Sequence, residues 1–141
     1  MRKVLVKGCA MVGLSPMGDD RGTLIAIEAG RQIPFDIQRV YYVFDTKAGV
    51  SRGFHAHRAL RQLLVAVSGS CTLLLDDGTS RDEVRLDHPA SALRIDGLVW
   101  REMRDFSPDC VLMVLADRAY DEADYIRDYD TFVAATKAAA A

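Results

Sequence analysis

Cysteine is scarce in this chain of 141 residues, and its three copies lie far apart: Cys9, Cys71 and Cys110 form no CxxC pair. An odd number of cysteines without paired spacing argues against a disulfide framework and against a zinc ribbon. Each cysteine has apolar or strand-forming neighbours. We therefore predict three buried thiols rather than ligands or cross-links.

Long apolar runs and an excess of basic charge are also lacking. No apolar stretch reaches the roughly 18 residues of a transmembrane helix, and the first residues show no clear signal-peptide pattern. The formal net charge of -2 argues against nonspecific nucleic-acid binding, although local arginines can still hold a nucleotide diphosphate. We expect a soluble, cytoplasmic protein without nucleic-acid or membrane partners, folded as one domain over residues 1–141.

Alternating hydrophobicity dominates the middle of the chain. Period-two patterns rich in β-branched and aromatic residues recur there, and turn signals such as Asp77-Gly78 separate them. The predicted strands are 23–28, 38–45, 61–68, 70–77, 82–87, 91–95, 99–106 and 110–117. So many strands in one small domain predict an all-β fold, a closed barrel or jelly roll.

The two ends of the chain differ from this middle. Tyr125, Tyr129, Phe132 and Val133 recur at spacings typical of a helix, which predicts a short C-terminal helix over about residues 121–137. An N-terminal strand, about residues 1–14, precedes a polar loop and looks detached from the other strands. A detached edge strand can be exchanged between the subunits of a homodimer.

A histidine pair in the middle of the chain is the strongest chemical signal. His55 and His57 are two positions apart, so on a strand they point to the same side, which in a barrel is the lumen. They lie between Gly49 and Gly69 and are followed by Gln62. This spacing resembles the first cupin motif, in which two histidines and a glutamate converge inside the barrel.

Two positions of the cupin pattern lack a good metal ligand. Gln62 replaces the glutamate, and Arg101 stands where a further histidine would complete the site. Arginine has no lone pair for a metal and repels a cation, so we predict a metal-free pocket. The imidazoles are then available to move protons, and Arg101 and Arg52 would favour their neutral form and stabilise an oxyanion. Such a site suits proton abstraction next to a carbonyl.

Several blocks of the sequence, taken in order, resemble one known family. The resemblance rests on RGTLIAIE, IPFDIQRVYYVFDT, RGFHAHRALRQLLVAVSGSCTLLLDDG, VWREMRDFS, DCVLMVLA and YDEADYIRDYDTF, spread over residues 21–132. They are similar to the dTDP-4-keto-6-deoxyglucose 3,4-ketoisomerases of the WxcM-like cupins. The resemblance implies a cupin jelly-roll barrel, no cofactor, and a homodimer with exchanged N-terminal strands. It also implies a substrate, dTDP-4-keto-6-deoxy-D-glucose, on the way to dideoxy aminosugars.

The same resemblance implies roles for individual residues. His57 would be the base that moves a proton between C3 and C4 of the sugar, with His55 beside it. Tyr41 would be a pocket hydroxyl that donates to an oxygen or relays a proton. The residues expected to bind the substrate are Arg21, Arg52, Arg101 and Gln62. The configuration at C4 of the product, galacto or gluco, stays open, because the combination of Arg21 with Arg101 is not assigned to either pattern of the family.

Three other functions stay open at this point. A dTDP-sugar 3,5-epimerase has a similar fold, but it pairs its histidine base with an aspartate, and the sequence shows no clear equivalent. A non-catalytic sugar-nucleotide-binding cupin is disfavoured only by the presence of His55 and His57. A metal-dependent cupin oxygenase would need the ligands that Gln62 and Arg101 replace.

Overall fold

Two five-stranded sheets pack face to face and enclose a lumen. The structure, a computed structural model, describes all residues from Met1 to Ala141. Its elements are β1 Cys9–Gly13, β2 Met17–Asp19, β3 Gly22–Leu24, β4 Arg39–Val43, β5 Arg52–His57, β6 Arg61–Ser68, β7 Cys71–Asp76, β8 Arg81–Leu86, β9 Ser91–Asp96, β10 Trp100–Arg104, β11 Val111–Ala116, β12 Tyr125–Ile126 and α1 Tyr129–Ala140. The sheet orders are β1-β9-β6-β11-β4 and β12-β5-β10-β7-β8, while β2 and β3 form a separate hairpin. The predicted all-β barrel with a short C-terminal helix is confirmed.

Most predicted strands are found close to their expected bounds. β4 and β6 to β11 lie within two residues of the predicted ranges, because their period-two patterns fit a sheet with one buried face. The prediction of a strand over 23–28 is wrong beyond Leu24, where β3 ends. Residues 25–37 instead cover the outer face of the first sheet, with Ile33 and Phe35 buried against Leu63 and Leu115.

Apolar side chains fill one end of the lumen, and polar side chains occupy the other. Strand alternation sends every second side chain inward, and inward residues of both sheets form a cluster of 17 buried residues. Leu73 and Leu112 in that cluster are 0 % exposed. Along β6, Gln62 precedes the apolar inward residues, and along β10 Arg101 does so. The barrel therefore offers a packed floor with a polar chamber above it.

The C-terminal helix begins later than the sequence pattern indicated. Instead of a helix over about 121–137, the chain makes a 3-10 turn at Glu122–Asp124, adds the short strand β12 to the edge of β5, and only then enters α1. Asp128 explains the true start, because its carboxylate accepts a hydrogen bond from the backbone N–H of Thr131 at 2.9 Å and so caps the helix. Phe132 anchors α1 against Trp100 and Ile126.

The N-terminal segment also differs from the expectation. β1 pairs with β9 of its own chain, and Val4 and Val6 are buried in the lumen cluster, so residues 1–14 are not a detached strand here. The segment that leaves the barrel is the β2–β3 hairpin, whose strand residues are all exposed. No helix of the chain is both long and apolar enough to cross a membrane.

Candidate active site

The histidine pair lies in the polar chamber. His55 and His57 are both on β5 and face the same side, and their rings are 4.9 Å apart, edge to face. His55 is directly opposite Arg101 of β10 in the strand register. The His57 side chain is 1 % exposed, and its Nε2 is buried without a hydrogen-bond partner in the chain. A buried, unpartnered acceptor in an enzyme chamber is available for a substrate proton.

Asp124 forms a hydrogen bond with the Nδ1 side of the His57 ring. Its Oδ2 is 3.1 Å from Nδ1 of His57, and its Oδ1 accepts the backbone N–H of Ala59 at 2.9 Å. A carboxylate can only accept, so Nδ1 of His57 carries the proton and Nε2 keeps its lone pair. The sequence reasoning did not find Asp124, because it assigned the residue to a helix. The Asp128 helix cap was a signal in the sequence that Asp124 lies before the helix.

Arg101 is a buried cation without a carboxylate partner. Its side chain is 1 % exposed; Nη2 donates to the carbonyl oxygen of Val99 at 3.0 Å, and Nη1 donates to Oε1 of Gln62. No salt bridge reaches its guanidinium. An uncompensated buried charge is costly, and it favours a ligand or intermediate of opposite charge in the same chamber.

Gln62 and Tyr41 complete the chamber. Nε2 of Gln62 donates to the hydroxyl of Tyr41 at 3.1 Å, so a hydrogen-bonded chain runs from Arg101 through Gln62 to Tyr41. Burial raises the pKa of Tyr41, which keeps its hydroxyl protonated, although Arg101 and Gln62 act in the opposite direction. The structure thus brings together five of the residues singled out in the sequence: His55, His57, Tyr41, Gln62 and Arg101.

Both imidazoles are kept neutral. Burial, followed by the charge of Arg101, lowers the pKa of His55 to about 4 and that of His57 to about 2. Desolvation disfavours the charged imidazolium, and the nearby cation repels it. At neutral pH both rings are therefore neutral imidazoles with one free lone pair, and a proton taken from a substrate would leave a cation that needs a nearby anion.

A ring of aromatic and basic side chains surrounds the opening of the chamber. Tyr125 of β12 is 4.3 Å from the His57 ring between centroids. The guanidinium of Arg127 lies 4.3 Å above the Tyr125 ring, and that of Arg39 lies 4.6 Å above the Tyr41 ring. Arg118 lines the same small opening as His57. Cations stacked on aromatic rings are held in place, which suits recognition of an anionic group.

Two predicted substrate-binding residues lie elsewhere in this chain. Arg21 is at the tip of the β2–β3 hairpin, 88 % exposed, and pairs only with its neighbour Asp19. Arg52 is exposed at the other end of β5 from His57 and lines a surface pocket with Lys47 and Phe106. Within one chain both arginines lie away from the histidines, because one belongs to a projecting hairpin and the other to the far strand end, and their role in substrate binding stays a prediction.

Three known proteins resemble this chain closely. It is 58 % identical over 114 residues, 81 % of this chain and 82 % of the relative, to the TDP-4-oxo-6-deoxy-alpha-D-glucose-3,4-oxoisomerase of Aneurinibacillus thermoaerophilus. The sugar 3,4-ketoisomerase QdtA of Thermoanaerobacterium thermosaccharolyticum, solved with TDP, superimposes with a TM-score of 0.93 at 39 % identity over 96 % of this chain and 98 % of that one. The TDP-quinovose 3,4-ketoisomerase WlaRB of Campylobacter jejuni gives a TM-score of 0.89 at 45 % identity over 92 % and 99 %.

Fold and chamber together define a cupin-type isomerase that works on sugars by moving protons. The chamber holds neutral imidazoles beside a buried cation, and the solved relatives have the same barrel. At the level of sequence, residues 7–137 match the family model described as FdtA: WxcM-like, C-terminal, and the chain belongs to this family.

Proposed function

We propose that this protein is a cofactor-free sugar 3,4-ketoisomerase that converts dTDP-4-keto-6-deoxy-D-glucose into the dTDP-3-keto-6-deoxyhexose. The observation that carries the proposal is the unpartnered Nε2 of His57, buried in a chamber with the uncompensated cation of Arg101. A base beside a fixed positive charge is what abstraction of a proton next to a ketone requires. The substrate class comes from the three relatives named above.

The reaction needs only proton transfers. The ketone at C4 acidifies the hydrogen on C3, and Nε2 of His57 takes that proton. The electron pair of the broken C–H bond forms a C3–C4 double bond, and the C4 oxygen becomes an oxyanion. A proton then returns from the imidazolium to C4, and the C3 hydroxyl passes its proton to the C4 oxygen, so that C3 becomes the ketone and C4 carries the hydroxyl. Atoms and electrons balance within the sugar, so neither a redox cofactor nor a metal enters the proposal.

Arg101 and Asp124 make His57 an effective base at different moments of this reaction. Arg101 stabilises the negative enediolate and thereby offsets the weak basicity of an imidazole with a low pKa. Asp124 keeps the proton on Nδ1, so Nε2 always faces the sugar as an acceptor, and it stabilises the imidazolium once formed. His55, which donates from Nδ1 to the carbonyl oxygen of Gly53, offers a second acceptor nitrogen.

The nucleotide diphosphate would be held at the opening of the chamber. Arg39, which stacks on the Tyr41 ring, lines this opening together with Arg118. Arg127 lies above the nearby Tyr125 ring, and its guanidinium is paired with Glu122. Guanidinium groups bind phosphate oxygens with charge-assisted, bidentate geometry. Arg52, with Lys47, offers a further basic site along the edge of β5.

A cytoplasmic location belongs to the same proposal, since all three cysteines are free thiols.

A homodimer is part of the proposal, with a different exchanged segment than the N-terminal strand. Val40, Tyr42 and Phe44 form an apolar row on the outer side of the edge strand β4, each more than half exposed. Met17 and Leu24 of the projecting hairpin are also more than half exposed. Covering both surfaces by exchange of the hairpin with a second copy would bury them. Arg21, at the hairpin tip, would then reach a partner's barrel.

The dimer is tested by sedimentation at micromolar concentration. The wild-type chain is expected to sediment at twice its 15.6 kDa mass, and Tyr42→Glu with Phe44→Glu to sediment as a monomer. The control is Val50→Glu, an exposed apolar residue of the β4–β5 loop outside that row. A wild-type monomer, or a dimer that tolerates both charges, contradicts this interface.

A sugar 3,5-epimerase is the second candidate, because one observation favours it. That class pairs its histidine base with an aspartate, and Asp124 provides such a partner for His57. Epimerisation would exchange the hydrogens on C3 and C5 and leave the ketone at C4. The two reactions therefore leave isotope at different carbons.

Both candidates are separated by one experiment in deuterated water. Incubation of the enzyme with dTDP-4-keto-6-deoxyglucose, followed by NMR, is expected to give a ketone at C3 and deuterium at C4. Exchange at C3 and C5 with the ketone still at C4 would establish the epimerase, and no change would indicate binding alone. His57→Asn is expected to lower the rate by about 10³-fold, as loss of a general base does. His88→Asn, in an exposed turn, is the matched control and should keep full activity.

A further inference from the structure

Gln62 lies between the buried cation and the tyrosine hydroxyl. Its side chain is 2 % exposed and sits near the start of β6, on the inward face. Nη1 of Arg101 donates to its Oε1, and its own Nε2 donates to the hydroxyl of Tyr41 at 3.1 Å. Gln62 therefore has one hydrogen-bond partner at each end of its amide, Arg101 at the oxygen and Tyr41 at the nitrogen. Its role as a substrate ligand, which the resemblance implied, stays a prediction.

The amide can take only one orientation here. A guanidinium has donors and no acceptor, so the amide oxygen must face Arg101 and the amide nitrogen must face Tyr41. The Tyr41 hydroxyl consequently accepts a hydrogen bond from Gln62, and it makes no other hydrogen bond within the chain. The single hydroxyl proton is then free to point into the chamber, towards a substrate oxygen.

We propose that Gln62 is a positioning residue of the ketoisomerase reaction, which uses the fixed charge of Arg101 to hold Tyr41 as a hydrogen-bond donor to the substrate carbonyl oxygen. The inference rests on the proposed function, and it explains why position 62 carries a glutamine rather than a glutamate. A glutamate of the same size would pair with Arg101 and accept the proton of Tyr41, which would turn the hydroxyl away from the sugar. The amide, anchored on Arg101, keeps the hydroxyl proton of Tyr41 directed at the developing oxyanion.

Three variants and one double variant test whether Gln62 acts through Tyr41. Tyr41→Phe is expected to lower kcat by about 10²-fold, the usual effect of losing one donor to an oxyanion. Gln62→Met, which removes both amide hydrogen bonds at similar volume, should lower kcat by about 10-fold with little change in KM. In Tyr41→Phe/Gln62→Met the loss should equal that of Tyr41→Phe alone, because residues that act as a unit are not additive. Losses that multiply would overturn the proposal.

Gln62→Glu provides a readout that a merely structural role would not change. The added negative charge next to Arg101 raises the pKa of His57, so the acid limb of the pH profile of kcat/KM should move to higher pH, while the limb of Gln62→Met should move much less. An unshifted limb in Gln62→Glu contradicts the proposal.

Binding of TDP, measured by calorimetry, should stay within about twofold in every variant, and a larger loss would mean that Gln62 acts on binding instead. A wild-type enzyme without ketoisomerase activity would refute the proposed function and this inference together; an active wild type with multiplying losses refutes only the inference.

Discussion

The two ends of the lumen are equally buried but have opposite energetics. Leu73 and Leu112, at the packed end, are 0 % exposed, and Arg101 and His57, in the polar chamber, are 1 % exposed. Burial of each leucine side chain stabilises the fold by about 1.5–3 kcal/mol, whereas burial of an unpaired guanidinium opposes folding. The packed end therefore provides the stability that offsets the cost of the chamber. The buried polar groups of the chamber do not stabilise the fold, and we attribute them to the proposed reaction.

Asp124→Asn should have the largest effect on the chamber. The asparagine amide would donate to Nδ1 of His57 and so place the imidazole proton on Nε2, where the base must be empty. We expect kcat to fall by about 10³-fold with folding intact, by the tautomer logic of catalytic triads. Steady-state kinetics measure the loss, and Asp130→Asn in the first turn of α1 is the control. Retention of more than a tenth of the wild-type kcat would show that Asp124 does not set the tautomer.

Arg101→Met separates catalysis from stability. Without the guanidinium, the enediolate loses its nearest cation, and we expect kcat to fall by about 10²-fold. Removal of the positive charge also raises the pKa of His57 and His55, so the acid limb of the pH profile should move to higher pH. Thermal unfolding should change little, because an apolar side chain of similar volume often replaces a buried charge without loss. A large drop in the melting temperature would contradict this view of the chamber.

Leu73→Ala is the converse test at the packed end. A buried leucine reduced to alanine leaves a cavity, and the free energy of unfolding should fall by about 3 kcal/mol. The folded fraction should keep kcat within about threefold, since Leu73 belongs to the packed floor. Urea denaturation and kinetics on the same sample compare the two quantities. A loss of kcat at unchanged stability would contradict the view that the packed end contributes to stability and not to catalysis.

Mild acid should weaken the fold through the histidines of the chamber. Their pKa values in the folded state lie below the value of about 6.5 expected for the unfolded chain, so their contribution is complete above pH 6.5 and is lost as pH falls towards 4. Each histidine should cost about 2 kcal/mol of unfolding free energy between pH 6.5 and 5. Urea titrations at both pH values measure this slope. It should be smaller in His57→Asn and unchanged in His88→Asn.

The sequence predicted the barrel well because its information is local. Period-two alternation along β6 and the spacing of His55 and His57 follow from the geometry of a single strand. Gln62 and Arg101 were located from the cupin pattern, and the structure brings both to the histidines.

What the sequence did not reveal depends on contacts between distant segments. Asp124 meets His57 across 67 positions of the chain, and no periodicity within residues 121–126 encodes that meeting. The same holds for Arg21 and Arg52, whose neighbours in sequence resemble the family while their positions in one subunit lie away from the chamber. The residue types predicted the kind of chemistry, and the tertiary structure determined which of the candidate residues lie in the chamber.

The short strand β12 has a consequence for when the enzyme becomes active during its synthesis. All strands of the barrel except β12 precede residue 117, and the carboxylate of Asp124, which contacts the proposed catalytic imidazole, arrives with the same late segment as β12. A nascent polypeptide halted on the ribosome before that segment emerges could close its sheets and still lack a correctly oriented base. Closure of most of the barrel and completion of the His57–Asp124 pair are thereby separated along the chain.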